Sequence, residues 1–170
     1  MLYFPLDSNR YNNYIFAVRS RSKAAPTPIP LEGRIFVALL QTADAVGQEA
    51  EQLLKSQGLT GAQYNVLRIL RGAEPEGLPC RGIGDRMISH DPDMTRLLDR
   101  MEKLRLITRM RQTDDRRVIK TRITRQGLHI LKALDQPVRE LHKRQFQHMT
   151  AARLRAFAGI LEEVRSRQIG

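Results

Sequence analysis

Two short extended runs, Ile107–Arg111 and Val118–Ile123, interrupt a chain whose other periodic segments repeat at helical spacing. Both runs are extended in character, and a polar stretch, Gln112-Thr113-Asp114-Asp115-Arg116-Arg117, joins them. They read as a β-hairpin with a charged tip. A hairpin set among helices restricts the chain to a mainly α fold with a small sheet of two or three strands. Leu78 and Pro79 are the candidates for a third strand.

The helical segments carry their own start and stop signals. Ile35, Leu39, Ala43, Val46, Ala50 and Leu53 recur at intervals of 4, 4, 3, 4 and 3, a narrow seam near the 3.5 period of helix-on-helix packing. Gly58 is placed to end that helix. Thr60 and Gln63 then form a capping box, with Leu59 and Tyr64 spaced for a hydrophobic staple. A second helix follows through Val66, Leu67 and Leu70, and a loop runs from Gly72 to Gly77.

A short helix fits Arg81–Met87. Asp91-Pro92 restarts helix, with Asp91 as N-cap and Pro92 at the first helical position. Met94, Leu97, Leu98, Met101 and Leu104 make its apolar face, leaving Thr95, Arg96, Asp99, Arg100 and Lys103 on the other sides. Two short helices around a tight turn form a helix-turn-helix pattern. After the hairpin, Thr124 caps a helix with the stripe Leu128, Leu131, Leu134, Val138 and Leu141, which Pro137 is expected to bend. Thr150 caps a last helix carrying Leu154, Phe157, Leu161 and Val164. These terminal seams exceed what one small subunit covers, and a dimer interface is the economical explanation.

Charge is unevenly spread. The chain of 170 residues has 29 basic and 18 acidic side chains, net +11, which attracts a polyanion: nucleic acid or an acidic membrane face. Residues 31–77 are net −2, whereas 78–125 are net +6. The positive excess therefore peaks over the helix-turn-helix and hairpin. With 5% aromatic residues and no Trp, the core rests on Leu, Ile, Val and Met. A single cysteine, Cys80, excludes an intrachain disulfide and suits a reducing cytoplasm. No stretch reaches the roughly 18 apolar residues of a membrane span, and no signal peptide is recognisable, so a soluble, cytoplasmic protein is expected.

The order helix, helix, helix-turn-helix, charged hairpin, long helix, helix resembles the MarR family of bacterial transcription regulators. Four segments carry the resemblance: Leu59-Thr60-Gly61-Ala62-Gln63-Tyr64-Asn65-Val66-Leu67; Asp91-Pro92-Asp93-Met94-Thr95-Arg96-Leu97-Leu98-Asp99-Arg100-Met101-Glu102; Asp114-Asp115-Arg116-Arg117-Val118; and Ile123-Thr124-Arg125-Gln126-Gly127. It covers about 31–167. It implies a winged helix-turn-helix homodimer that binds double-stranded DNA at a pseudo-palindromic operator. It also implies a small-molecule effector seated between the dimerisation helices and the DNA-binding lobe. The expected organisation is an arm over 1–30, a dimerisation helix over 31–58, a DNA-binding lobe over 59–124 and C-terminal dimerisation helices over 125–170.

On the DNA side, Thr95, Arg96, Arg100 and Lys103 are expected to face the duplex, where Arg bonds guanine O6 and N7 with its fork. The resemblance implies that Arg117 enters the minor groove and that Asp115 orients it. Arg116, Arg111 and Arg109 are then expected on phosphates, adding affinity without sequence information. His90 is a candidate groove contact before Thr95, and Asp91 and Asp93 stand where many relatives have Ser, Thr or Arg. The two acids suit a helix N-terminus but oppose phosphate, and Asp93 can instead accept from a cytosine amine. Arg19, Arg21 and Lys23 offer an alternative in which the arm touches DNA or the partner subunit.

Other signals point away from catalysis. Gly82-Ile83-Gly84 lacks the third glycine and the preceding strand of a phosphate loop. His129, His142 and His148 do not pair at helical metal-site spacing, so neither metal nor cofactor is expected, and the chain reads as a regulator, not an enzyme. Cys80 is read as an inert thiol, a redox switch being the alternative. Two other functions share this pattern: a constitutive or architectural DNA-binding protein without ligand, and a protein-interaction module.

Overall fold

The structure, a computed structural model, describes residues 29–89, 93–111 and 119–167. The arm expected over 1–30 thus falls almost wholly outside the described residues. Helix α1 spans Leu31–Lys55 and stops where Gly58 turns left-handed, at φ 70°. There the N–H of Gly58 donates to Lys55 O and that of Leu59 to Leu54 O, which satisfies two carbonyls the helix cannot. Helix α2, Gly61–Arg71, begins on the expected capping box. Thr60 Oγ1 accepts from the Gln63 N–H at 3.3 Å, and Gln63 Oε1 accepts from the Thr60 N–H at 2.9 Å. Glu51 of α1 takes the Gly61 N–H at 2.8 Å, so one helix caps the next.

Strand β1, Leu78–Pro79, is the third strand suggested by the sequence. Gly77 lets it approach: at φ 67°, a Cβ there would meet Thr121 O at 2.5 Å. Helix α3, Cys80–Gly84, is shorter than the expected Arg81–Met87. The N–H groups of Arg86 and Met87 bond three residues back, to Ile83 O and Gly84 O, which tightens the chain out of the α-helical ladder. Helix α4 spans Met94–Lys103, and its N-cap is Asp93, whose Oδ1 accepts from the Arg96 N–H at 3.3 Å. The cap expected at Asp91 is therefore displaced by two residues. Asp91 and Pro92 lie outside the described residues.

Strands β2, Ile107–Arg111, and β3, Ile119–Ile123, complete an antiparallel sheet in the order β1-β3-β2, with Ile107 opposite Ile123, Arg109 opposite Thr121 and Arg111 opposite Ile119. Helix α5, Arg125–Phe146, starts on Thr124, whose hydroxyl accepts from the Gly127 N–H at 3.1 Å, and continues through Pro137. Helix α6, Ala151–Ser166, starts on Thr150 as expected.

One cluster fills the middle: Val66, Leu67 and Leu70 of α2, Ile83 of α3, Leu97, Leu98 and Met101 of α4, Ile107 and Ile123 of the sheet, and Leu131 and Leu134 of α5. Leu104 does not join it. The residue caps the C-terminal end of α4 and is half exposed, so the apolar face of that helix ends one turn earlier than its spacing suggests. Gly127 sits where β3 meets α5, and a Cβ there would meet Leu106 O at 2.5 Å. The ends of the molecule differ. Helix α1 buries only Leu54, α6 buries nothing, and the seam residues Ile35 and Val164 are 58% and 50% exposed.

Candidate nucleic-acid interface

The helix-turn-helix is held from behind. Ile83 anchors α3 in the core, and Leu97, Leu98 and Met101 anchor α4. The turn between them is tied to α2 by Asn65, whose Oδ1 accepts from the Ile88 N–H at 2.9 Å. At about 100° per residue, the outward positions of α4 separate into two rows. Arg96, Arg100 and Lys103 form one, all exposed. Thr95, Asp99 and Glu102 form the other, with Thr95 exposed and both carboxylates half-buried.

The two rows meet different partners. Arg96 Nε lies 3.1 Å from Asp93 Oδ2, so the N-cap also braces the first arginine of the row. Among the described residues no ion pair engages Arg100 or Lys103. The acidic row faces the hairpin. Arg109 of β2 bonds Asp99 with one terminal nitrogen and reaches Glu102 Oε2 with the same nitrogen at 2.8 Å and with Nε at 2.9 Å. Its main-chain N–H donates to Glu102 Oε1 at 3.1 Å.

Arg109 was expected on a phosphate. The structure commits its guanidinium, 26% exposed, to two carboxylates of α4. The hydrogen bond it donates to Asp99, with help from Glu102, holds its pKa above the usual arginine value despite partial burial, so the group is cationic at every working pH. Arg111, at the outer end of β2, is exposed and without an ion pair among the described residues. His90, Asp115, Arg116 and Arg117 lie outside the described residues.

Several cations that motif reading passed over are better placed than Arg109 to meet a polyanion. Arg81 on α3 and Arg86 in the turn are exposed, as are Arg105, Arg122 and Arg125 around the base of the hairpin, and no ion pair engages any of them among the described residues. Only the basic excess of 78–125 pointed to them. Asn65 and the Asp99–Glu102–Arg109 cluster had no local sequence signal, because their partners lie across the fold. Cys80 is exposed as the first residue of α3.

Comparison with known proteins decides what this arrangement is. The MarR family profile matches residues 59–119, from the staple residue before α2 to the first residue of β3. A MarR transcription factor from Planctomyces limnophilus is 35% identical, with a TM-score of 0.61 over 80% of this chain and 98% of that one. The chain belongs to the MarR family. It is also 26% identical, over 75% of its length and 84% of the relative's, to the homoprotocatechuate degradative operon repressor of Escherichia coli. The S. aureus MepR–DNA complex shares the fold, with a TM-score of 0.70 at 19% identity over 82% of this chain and 99% of that one. In this MarR-family regulator, then, α3 and α4 form the helix-turn-helix pair, and β2 and β3 the hairpin of a winged-helix fold. No helix among the described residues is long and apolar enough to cross a membrane.

Proposed function

We propose that the protein represses transcription as a homodimer that binds a pseudo-palindromic operator in the cytoplasm and is released by a small ligand. The observation that carries this reading is the solvent-facing row Arg96, Arg100 and Lys103 on a helix rigidly seated by its opposite face. That row fits a major groove, where Arg100 can take a guanine edge and Thr95 a phosphate or a thymine methyl. Arg81, Arg86 and Arg111 take flanking phosphates. At the wing tip Arg117 enters the minor groove, oriented by Asp115, with Arg116 on the backbone and His90 at the start of the recognition segment. Pairing of the uncovered stripes of α1 and α6 with a second copy sets two recognition helices about 34–36 Å apart, one turn of duplex.

The repressor activity of the E. coli relative supports repression here. Release by ligand would act through the contacts that join the lobe to the helices proposed for dimerisation. Arg71 of α2 grips Asp135 of α5 through two bonds of 2.9 Å, and Glu51 of α1 caps α2. A ligand seated between these helices and the lobe changes the spacing of the recognition helices, and one spacing fits the operator while the other does not.

Selection of duplexes from a random-sequence library, followed by fluorescence anisotropy against salt, tests the DNA-binding part. A dimer binding an inverted repeat, with log K falling steeply against log salt, is expected. Absence of binding to every duplex in dilute buffer overturns it. A thermal-shift screen tests release: a compound that stabilises the dimer and weakens operator binding is expected, and a stabilising set that leaves binding untouched rejects the ligand step.

A further inference from the structure

We infer that Arg109 is a positioning residue, one that fixes the angle between the recognition helix and the wing and touches no phosphate. The inference rests on the DNA-binding reading above. Its geometry is specific. Asp99 and Glu102 stand three residues apart on one row of α4, both turned toward β2. Arg109 is the central residue of that strand and lies opposite Thr121, which is fully buried in the sheet. The bond from the Arg109 main-chain N–H to Glu102 ties the strand's backbone, and the guanidinium ties its side chain, to the same helix. Because β2 is the sheet's edge strand, that N–H has no strand partner on its outer side, and Glu102 supplies one.

The brace sits two residues from the end of the strand. A tilt of roughly 10° at Arg109 moves Arg111, two residues further along β2, by about 1 Å, at about 3.3 Å of rise per residue. A shift of about 1 Å is enough to stretch an ordinary hydrogen bond past its useful range. The cluster also explains why a helix that meets DNA keeps two carboxylates: they brace the wing, and Arg109 offsets part of their charge.

Electrostatics and positioning predict opposite signs, which makes the inference testable. In the full-length protein, D99N/E102Q keeps side-chain size and removes two negative charges from a DNA-facing lobe. Attraction alone requires tighter binding to every duplex. Positioning requires weaker binding to a duplex selected by the wild-type protein, by roughly five- to a hundredfold, the loss that one base pair's worth of contacts brings. Binding to poly(dI-dC) is expected to stay equal or tighten. R109K supplies the second arm: a phosphate contact survives that exchange, whereas the forked brace does not, and the same loss on the selected duplex is expected. The slope of log K against log salt should be unchanged in R109K, since no phosphate contact is lost.

Wild-type selectivity in either variant, measured as the ratio of the two affinities, overturns the inference. Thermal unfolding is followed alongside, and if one variant does not fold the other decides. Should the wild-type protein select no duplex at all, the DNA-binding reading fails instead. The brace is then judged by hydrogen exchange, where faster exchange of the 107–111 amides in R109K supports it and unchanged rates reject it.

Discussion

The lobe and the terminal helices of this chain handle their apolar residues in opposite ways. In the lobe the core members close on one another, and Val66, Leu67, Leu70, Ile83 and Met101 have no solvent exposure. In α1 and α6 the same residue types repeat with equal regularity, yet Ile35, Phe36, Ile160 and Val164 are at least half exposed. Each such side chain, already about half covered, forgoes about 0.8–1.5 kcal/mol, roughly half of what full burial contributes. The comparison teaches that helical periodicity reports a face to be covered and leaves open what covers it. In the lobe the cover is the same chain. At the ends, in the proposed dimer, it is a second copy.

The largest expected effect comes from breaking the ends. Ile35→Glu combined with Val164→Glu places charge on both uncovered stripes, and light scattering should record a monomer in place of the dimer. Selected-duplex binding should fall with it, since one half-site remains, while the near-ultraviolet dichroism of the lobe should persist. A dimer of unchanged affinity would refute the assignment of these stripes. Next in size is an attack on the middle. Leu67→Ala should lower unfolding free energy by about 2–5 kcal/mol, the range for emptying a fully enclosed leucine site. The contrasting change Leu31→Ala in the monomeric double variant should cost far less, about 0.5 kcal/mol, because that side chain is 57% exposed. Denaturant titration of both variants measures the contrast, and equal costs would erase it.

What the sequence made legible divides along a related line. Local signals were sufficient: Thr60, Thr124 and Thr150 cap the helices they were expected to cap, the inward faces of α2 and α5 follow from apolar spacing, and β2 spans the run read as extended. Failures came where two signals competed or where partners were distant. Asp91-Pro92 and Asp93 both offer a helix start, and only the Asp93 hydrogen bond shows which one begins α4. Arg109 looks like any exposed arginine of a charged hairpin until Asp99 and Glu102, ten and seven residues earlier, are brought against it. The residues proposed for the minor groove, Asp115 to Arg117, are legible only through family resemblance.

A smaller effect measures how firmly the lobe is tied to the ends. Arg71 holds the Asp135 carboxyl below the ordinary carboxylate range, chiefly through its hydrogen bonds. A depressed value in the folded state means stability that is present above the unfolded carboxylate pKa of about 4 and is lost as pH falls through the folded value. Both side chains are about one-third exposed, so the pair is expected to contribute only about 0.5–1 kcal/mol. Arg71→Ala should therefore lower stability by about that amount at neutral pH, and the difference from wild type should vanish in strong acid. A difference that persisted below the carboxylate range would assign the loss to packing of the arginine stem.

The smallest effect lies inside the lobe. Helix α4 ends with Arg105 at φ 58°, where the Arg105 N–H donates to Glu102 O and the Leu106 N–H to Met101 O. That is the helix-ending arrangement Gly58 makes for α1, built here on a residue with a Cβ. A left-handed non-glycine residue costs roughly 1–2 kcal/mol, and glycine's greater freedom in the unfolded chain returns part of it, so Arg105→Gly should gain about 0.5 kcal/mol. The same feature hid the end of α4 from sequence reading, since no glycine marks it. If Arg105 also touches a phosphate, the variant will be more stable yet bind DNA with a salt slope shallower by about 0.9. If it does not, the stability gain will come alone. Calorimetry and anisotropy on one protein preparation separate the two, and a loss of stability would show that the arginine side chain packs where it is needed.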